Sequence, residues 1–163
     1  MTIYVFGYGS LLNMKLNKEL THPKKICPVM VKGLKRSLNV IGPLNKQLVF
    51  GVKDVKTASC NGILFKVSLI ELENLRQREK LYTMKLLEQE RIVFQYNKSI
   101  KFHTYDELIC FYPQPKYVVP KKKLASKPLL PHYINICVEG AKEINNEFYN
   151  DFIETTYGID IIV

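Results

Sequence analysis

The stretch VFGYGSLL at residues 5–12 is the feature that most constrains how this chain can fold. The apolar run at residues 3–6 has the length and β-branched character of a buried strand. Gly7 and Gly9, on either side of an aromatic residue, indicate that the backbone turns sharply or that another group approaches it closely. A strand that ends in a glycine loop presents several backbone N–H groups together, so we expect an anion-binding loop here.

The length and composition indicate one globular domain. At 163 residues the chain can form a substantial core, and we predict a single domain over residues 1–163. Hydrophobic residues make up 47% of the chain and charged residues 24%, which is ordinary for a globular protein. No apolar run approaches the ~18–20 residues that span a membrane, and no basic segment precedes the first apolar stretch. We therefore expect neither a membrane segment nor a signal peptide.

The four cysteines are widely spaced and show no CxxC pattern and no nearby histidine at ligand spacing. This spacing argues against a zinc site. All four lie in apolar segments, which favours reduced, buried thiols and a cytoplasmic location, although the sequence leaves a disulfide open. They are Cys27, Cys60, Cys110 and Cys137.

The formal net charge of +9 comes from 24 Lys and Arg against 15 Asp and Glu. Such a field favours anionic partners, including small anionic substrates. Most of the basic residues are scattered lysines, and the one dense run, Lys121–Lys123, lies between two prolines and is typical of a solvated loop. We therefore expect no nucleic-acid partner. A basic binding module that contacts an anionic partner through this run stays open as an alternative.

Apolar periodicity predicts a mixed α+β or barrel-like domain with six or more strands and three or four helices. A long strand or bent strand pair is predicted over 26–40, with a bulge at Gly33. A helix is predicted from Pro131 to about Asn145, and another around 148–153, stopped by Gly158. Shorter strands are predicted over 48–52, 62–67, 91–96, 100–105 and 108–112, with a hairpin loop at 97–99.

A further helix begins at Ser68, which forms the sequence pattern of a capping box with Glu71. At about 100° per residue, Glu79 falls on the apolar stripe of this helix, so it is a carboxylate that points into the protein. In the alternative, the last turn is frayed and Glu79 meets solvent or pairs with Arg76, three residues earlier. The stripe consists of Leu69, Leu72 and Leu75.

Three common site motifs fit the glycine loop poorly. A dinucleotide fingerprint would need a third glycine where the chain has Leu12, and no regular βαβ unit follows. No Gly-Lys-Ser/Thr sequence follows the loop, which excludes a P-loop. Ser10 lacks the Gly-x-Ser-x-Gly elbow of an acyl-transfer nucleophile, and none of the three histidines shows a triad signature.

Four segments, in this order, resemble the γ-glutamylcyclotransferase superfamily, which includes the ChaC-type enzymes and the AIG2-like proteins. The resemblance covers nearly the whole chain and implies a compact α+β domain, in which helices surround a small mixed β-barrel. The segments are VFGYGSLL at 5–12, VMVKGLKRSLNV at 29–40, GILFKVSLIELENLRQREKLY at 62–82 and PHYINICVEGAKEINNEFYNDF at 131–152.

The resemblance also implies a site. Glu79 corresponds to the catalytic glutamate of the family, and Tyr133 corresponds to a tyrosine at its pocket. The spacing from Glu79 to Tyr82 is shorter than in many members, so the role of Tyr82 stays open. The loop that binds the γ-glutamyl group corresponds to Tyr8, Gly9, Ser10 and Leu11.

The implied reaction is the cyclisation of a γ-glutamyl amide, which releases 5-oxoproline and an amine. The α-amine of the substrate is the nucleophile, so no metal, no cofactor and no covalent intermediate is needed. An inward-facing Glu79 with a raised pKa would accept and return the proton. The leaving group stays open between an amino acid, an amine, the remainder of glutathione and a protein isopeptide.

Overall fold

The structure, a computed structural model, describes residues 1–22, 24–44, 46–129 and 131–158. Within these ranges it contains seven strands and three α-helices, and five short 3-10 helices lie between them. The strands are β1 (Ile3–Gly7), β2 (Cys27–Val40), β3 (Val49–Val67), β4 (Tyr82–Leu87), β5 (Ile92–Val93), β6 (Glu107–Pro113) and β7 (Thr156–Tyr157). The helices are α1 (Leu69–Arg78), α2 (Pro131–Ile144) and α3 (Asn146–Glu154).

The strands form one mixed sheet in the order β4-β6-β1-β3-β2-β5, with β7 paired to β2. β1 and β6 are parallel, as are β2 and β7, and the other pairs are antiparallel. The sheet curls strongly into a half-barrel, which confirms the predicted α+β class. The curl brings β6 close to β3, where the Tyr112 hydroxyl donates a 2.7 Å hydrogen bond to the Asp54 carboxylate.

Three strand predictions need correction. The segments 48–52 and 62–67 are parts of one 19-residue strand, β3, because β2 pairs with it over most of its length. The predicted hairpin over 91–105 is wrong, since only Ile92–Val93 pairs with the sheet. Phe94 and Phe102 instead pack on each other with ring centroids 5.8 Å apart, so the apolar residues there cover the core from a loop. In addition, strand β4 (Tyr82–Leu87) was not predicted from the sequence.

The predicted bulge at Gly33 is confirmed and changes which residues of β2 are buried. Gly33 has a φ of 75°, a conformation that favours glycine, and the β2–β3 register shifts at this point. Before it the odd-numbered residues Val29 and Val31 are buried, whereas after it the even-numbered residues are buried. Arg36, an even-numbered residue, consequently points into the core.

Arg36 is fully buried and donates hydrogen bonds to oxygen atoms from three parts of the fold. Its guanidinium binds the Tyr8 carbonyl at 3.1 Å, the Asn61 carbonyl at 2.6 Å and the Asn61 side-chain oxygen at 2.8 Å. At the end of α3 it binds the Phe152 carbonyl and the hydroxyls of Thr155 and Thr156. No carboxylate forms an ion pair with it in the described part of the chain.

The capping box at the start of α1 is confirmed. The Ser68 hydroxyl accepts from the Glu71 N–H at 3.1 Å, and the Glu71 carboxylate accepts from the Ser68 N–H at 3.0 Å. The same carboxylate accepts from Lys24 and from the Thr21 N–H, and these bonds outweigh burial and lower the pKa of Glu71 to about 2. The predicted apolar stripe is wrong at Leu69, which is exposed, because the buried side of α1 runs through Glu71 and Leu75.

The two C-terminal helices lie close to where the sequence predicts them. α2 begins at Pro131, and α3 is capped by the Asn145 side chain, which accepts from the Phe148 N–H at 2.7 Å.

All four cysteines are buried and free. Among the described residues, no helix is long and apolar enough to cross a membrane.

Replacement of Arg36 tests how much the fold depends on its hydrogen bonds. We expect Arg36→Met to lower the free energy of unfolding by at least about 3 kcal/mol, since several buried oxygen atoms lose their donor. Urea denaturation measures the change. The control Lys66→Met removes an exposed positive charge from β3 and should change stability by less than about 0.5 kcal/mol. Equal stability of the two variants would contradict this account.

Candidate active site

The glycine loop follows β1 directly and leads into a 3-10 turn at Ser10–Leu12. The first hydrogen bond of this turn runs from the Leu12 N–H to the Gly9 carbonyl at 3.0 Å. The N–H groups of Ser10 and Leu11 precede that bond, so the turn itself does not use them. The predicted row of N–H donors therefore lies where the strand ends.

Gly9 is closely covered by a tyrosine from α2. A Cβ atom at Gly9 would lie 3.0 Å from the Tyr133 hydroxyl oxygen. The same oxygen accepts a 3.1 Å hydrogen bond from the N–H of Phe50 on β3. The absence of a side chain at Gly9 thus permits the contact between the loop, α2 and β3.

Glu79 lies one residue past the end of α1, not within the helix as the periodicity implied. Its N–H donates to the Leu75 carbonyl at 2.8 Å and caps the helix. The chain then turns, and the Tyr82 N–H donates to the Glu79 carbonyl at 3.1 Å as β4 begins. The Glu79 side chain is only 16% exposed, so it faces inward as predicted.

The loop and Glu79 line one small cavity of about 30 Å³. The structure brings together all six residues that the sequence analysis proposed for the site: Tyr8, Gly9, Ser10, Leu11, Glu79 and Tyr133. Three further aromatic residues complete the lining: Phe50, Phe111 and Tyr82. Phe50 and Phe111 were not predicted, because their position depends on how the sheet curls.

Two of the three tyrosines of the cavity are fixed by backbone carbonyls. The Tyr8 hydroxyl donates to the Phe111 carbonyl at 2.5 Å, and the Tyr82 hydroxyl donates to the Phe50 carbonyl at 2.6 Å. Burial raises the pKa values of Tyr8, Tyr82 and Tyr133 well above the usual value for tyrosine. All three phenols are neutral at neutral pH, and the hydroxyl protons of Tyr8 and Tyr82 are already donated to these carbonyls.

Arg78 connects the two halves of the site. Its guanidinium donates to the Ser10 hydroxyl at 2.9 Å, and it also contacts the side chains of Asn17 and Glu19. Its Nε lies 3.9 Å from a carboxylate oxygen of Glu79. Arg78 is not among the site residues predicted from the sequence, so this connection is new in the structure.

The environment of Glu79 makes its carboxyl group a weaker acid than an exposed glutamate. Burial raises the pKa of Glu79, Arg78 lowers it and Glu19 raises it, and the net effect is an increase. The alternative pairing with Arg76 is wrong, because Arg76 forms hydrogen bonds of 2.9 and 2.6 Å with Glu73 instead. Glu79 is therefore a partly desolvated carboxyl group with a guanidinium nearby.

Other candidate features lie outside this cavity. None of the three histidines lines it, and within the described ranges no group of three or more His, Cys, Asp or Glu could hold a metal ion. Lys121–Lys123 lies exposed in a 3-10 helix that spans Lys121–Ser126, as expected for a solvated segment.

Comparison with solved structures gives the fold its class. A γ-glutamyl cyclotransferase superposes with a TM-score of 0.69 at 15% identity, over 97% of this chain and 90% of that chain. A glutathione-specific γ-glutamyl cyclotransferase from yeast gives a TM-score of 0.61 at 15% identity, over 94% of this chain and 95% of its own. The chain thus has the γ-glutamyl cyclotransferase fold.

The fold also occurs in a protein that is described only as uncharacterized. An uncharacterized human protein superposes with a TM-score of 0.70 at 15% identity, over 96% of this chain and 89% of that chain. By sequence, no protein-family model matches the chain and no curated protein is significantly similar to it. The similarity therefore defines the fold, and the activity has to be argued from the site.

The contact between Gly9 and Tyr133 can be tested with a double-mutant cycle. We expect Gly9→Ala to destabilise the protein by about 1–3 kcal/mol, because the added methyl group is forced against the Tyr133 hydroxyl. In a Tyr133→Phe background the penalty should be smaller, since the opposing oxygen is gone. Urea denaturation of the four proteins measures the coupling, and equal penalties in both backgrounds would contradict it.

The raised pKa of Glu79 makes stability depend on pH. The folded state retains the Glu79 proton to higher pH than the unfolded state, so this contribution to stability is lost as pH rises through the folded pKa. We expect Glu79→Gln to gain stability relative to the wild type as the pH rises above about 4, the usual pKa of a glutamate. Denaturation at several pH values measures the difference.

Glu73→Gln is the matched control with the opposite sign. Hydrogen bonds from Arg76 and Gln77 lower the pKa of Glu73, so its ionised form favours the folded state. This variant should not gain stability as pH rises over the same range. A gain of the same size in both variants would contradict the assignment to Glu79.

Proposed function

We propose that this protein is a γ-glutamylcyclotransferase that cleaves a γ-glutamyl amide and releases 5-oxoproline and an amine. The main support is that Glu79 and the Tyr8–Leu11 loop, which are far apart in sequence, line the same cavity. The fold shared with γ-glutamyl cyclotransferases is consistent with this activity. The proposed catalytic residue is Glu79, and the substrate-binding residues are Tyr8, Gly9, Ser10, Leu11 and Tyr133.

In the proposed reaction, the α-amine of the substrate attacks its own γ-carbonyl carbon. An α-amine has a reference pKa of about 8, so a base is needed to keep it reactive near neutral pH. Glu79 accepts a proton from the attacking nitrogen and returns it to the leaving nitrogen as the amide bond breaks. A raised pKa suits both steps, because the group must be a base first and an acid afterwards.

The glycine loop would bind the charged and polar parts of the γ-glutamyl group. The N–H groups of Ser10 and Leu11 are not used within the 3-10 turn and suit a carboxylate or a developing oxyanion. The Ser10 hydroxyl already accepts a hydrogen bond from Arg78 and has no adjacent histidine base, so it binds and does not attack. With the γ-glutamyl group held by the loop, the attack requires that the substrate is bent so that its α-amine lies next to its γ-carbonyl carbon.

The substrate is a small γ-glutamyl compound: a γ-glutamyl amino acid, a γ-glutamylamine or glutathione. The reaction requires no cofactor, because nucleophile and electrophile belong to the same substrate. We further propose a cytoplasmic location, which the four free, buried thiols favour since they suit a reducing compartment.

A panel assay tests the proposal directly. Wild-type protein is incubated with glutathione, γ-glutamyl amino acids and γ-glutamylamines, and 5-oxoproline is measured. We expect at least one compound to be cyclised, and Glu79→Gln to reduce turnover by about 10²–10⁴-fold, as expected when a general base is lost. The variant should unfold at or above the wild-type temperature at pH 7.

Glu73→Gln provides the control for this experiment as well. Glu73 lies on the exposed side of α1 and bonds to Arg76, so its replacement should leave turnover within about twofold of wild type. Full activity of Glu79→Gln, or no 5-oxoproline from any member of the panel, would reject the proposed function.

A further inference from the structure

A second, larger cleft of about 550 Å³ lies behind the candidate active site. Phe50, Phe111 and Tyr82 line the active-site cavity, while the next residues along the same strands, Gly51, Tyr112 and Thr83, line this cleft. Since successive side chains of a strand point to opposite faces, the two sites lie on opposite faces of β3, β4 and β6. The outer cleft is therefore a separate site.

Three lysines from three strands line the outer cleft: Lys35 of β2, Lys53 of β3 and Lys85 of β4. Lys35 and Lys53 are direct cross-strand partners, an arrangement in which like charges repel. In the described part of the chain none of the three forms an ion pair. The three ammonium groups therefore remain available to an anionic ligand.

The only acidic residue among those lining the cleft, Asp54, pairs with Arg91, which also pairs with Glu88. The carboxylate of Asp54 accepts from Arg91 at 2.9 Å and from the Tyr112 hydroxyl at 2.7 Å. The ammonium groups of Lys35 and Lys85 lie over the rings of Tyr157 and Tyr112, at 4.1 and 4.8 Å from the ring centroids. These rings orient the lysines without cancelling their charge.

The remaining lining is partly apolar and partly polar. Val52, Pro113, Pro115 and Val118 supply the apolar surface. The hydroxyl groups of Ser37 and Thr83 also line the cleft and can form hydrogen bonds with a polar ligand.

We propose that the outer cleft binds a phosphorylated small molecule with an aromatic or apolar body, such as a nucleoside phosphate. The three ammonium groups suit a phosphate chain, the apolar wall suits a ring, and the hydroxyls of Ser37 and Thr83 can accept from an exocyclic amine or a hydroxyl. The volume lies within the ~300–1,000 Å³ range of small-molecule sites, whereas an extended polymer would need a longer open groove. This binding does not depend on the proposed cyclotransferase activity.

Calorimetric titration of the full chain tests the proposal, with ATP, inorganic pyrophosphate and adenosine as probes. We expect ATP to bind most tightly, pyrophosphate more weakly and adenosine not measurably, with affinity falling as salt rises. The double variant Lys35→Gln/Lys53→Gln should bind ATP at least about tenfold more weakly, because two phosphate contacts are lost. Glu79→Gln should bind ATP as the wild type does.

The matched control is Lys101→Gln/Lys142→Gln, which removes the same charge from exposed positions outside the cleft. It should retain ATP affinity within about twofold. Equal weakening by both double variants would show a diffuse effect of net charge and overturn the proposal, as would failure of ATP and pyrophosphate to bind. Tighter binding of a short single-stranded oligonucleotide through the same lysines would assign the cleft to nucleic acid and overturn it too.

Discussion

The buried guanidinium of Arg36 is the interaction on which the rest of the structure depends. Burial disfavours its charge and lowers its pKa, and no described carboxylate pairs with it. Neutral oxygens from the glycine loop, from β3 and from the end of α3 surround it instead, and the Phe152 ring lies 4.2 Å from its central carbon. A helix C-terminus attracts a cation, so α3 compensates part of the desolvation cost. One side chain thereby fixes where three segments meet.

The candidate site depends on this junction. The Tyr8 carbonyl accepts a hydrogen bond from Arg36, and the Tyr8 hydroxyl donates one to the Phe111 carbonyl. Both the backbone and the side chain of this first loop residue are therefore held in place. Arg78 then connects the loop to Glu79 through the Ser10 hydroxyl. In an intramolecular cyclisation the protein mainly has to position the substrate, because the substrate already contains both reacting groups. For the proposed reaction, the positions of the loop and of the Glu79 carboxyl group are therefore what this fold would contribute.

Local sequence signals predicted the parts of the structure that depend on near neighbours. The capping box at Ser68, the bulge at Gly33 and the proline start of α2 all involve groups a few residues apart, and all are present. Phe50 and Phe111 could not be predicted to line the cavity, because that depends on long-range curling of the sheet. Arg36 could have been identified, since after a bulge at Gly33 the alternation of β2 places it on the buried face with Leu34 and Leu38.

The bulge at Gly33 has a further consequence for how such a chain can change. The bulge determines which residues in the second half of β2 face inward. In that half Arg36 points into the core, and Lys35 lines the outer cleft on the opposite face. Deletion of Gly33 would shift the alternation in the second half of β2 by one residue. The side chains that now face inward would then face outward, and the reverse. An ammonium without partners would enter the core, and the guanidinium would leave it. Within β2, point substitutions are therefore the accessible route of variation, whereas a one-residue deletion would remove both sites together.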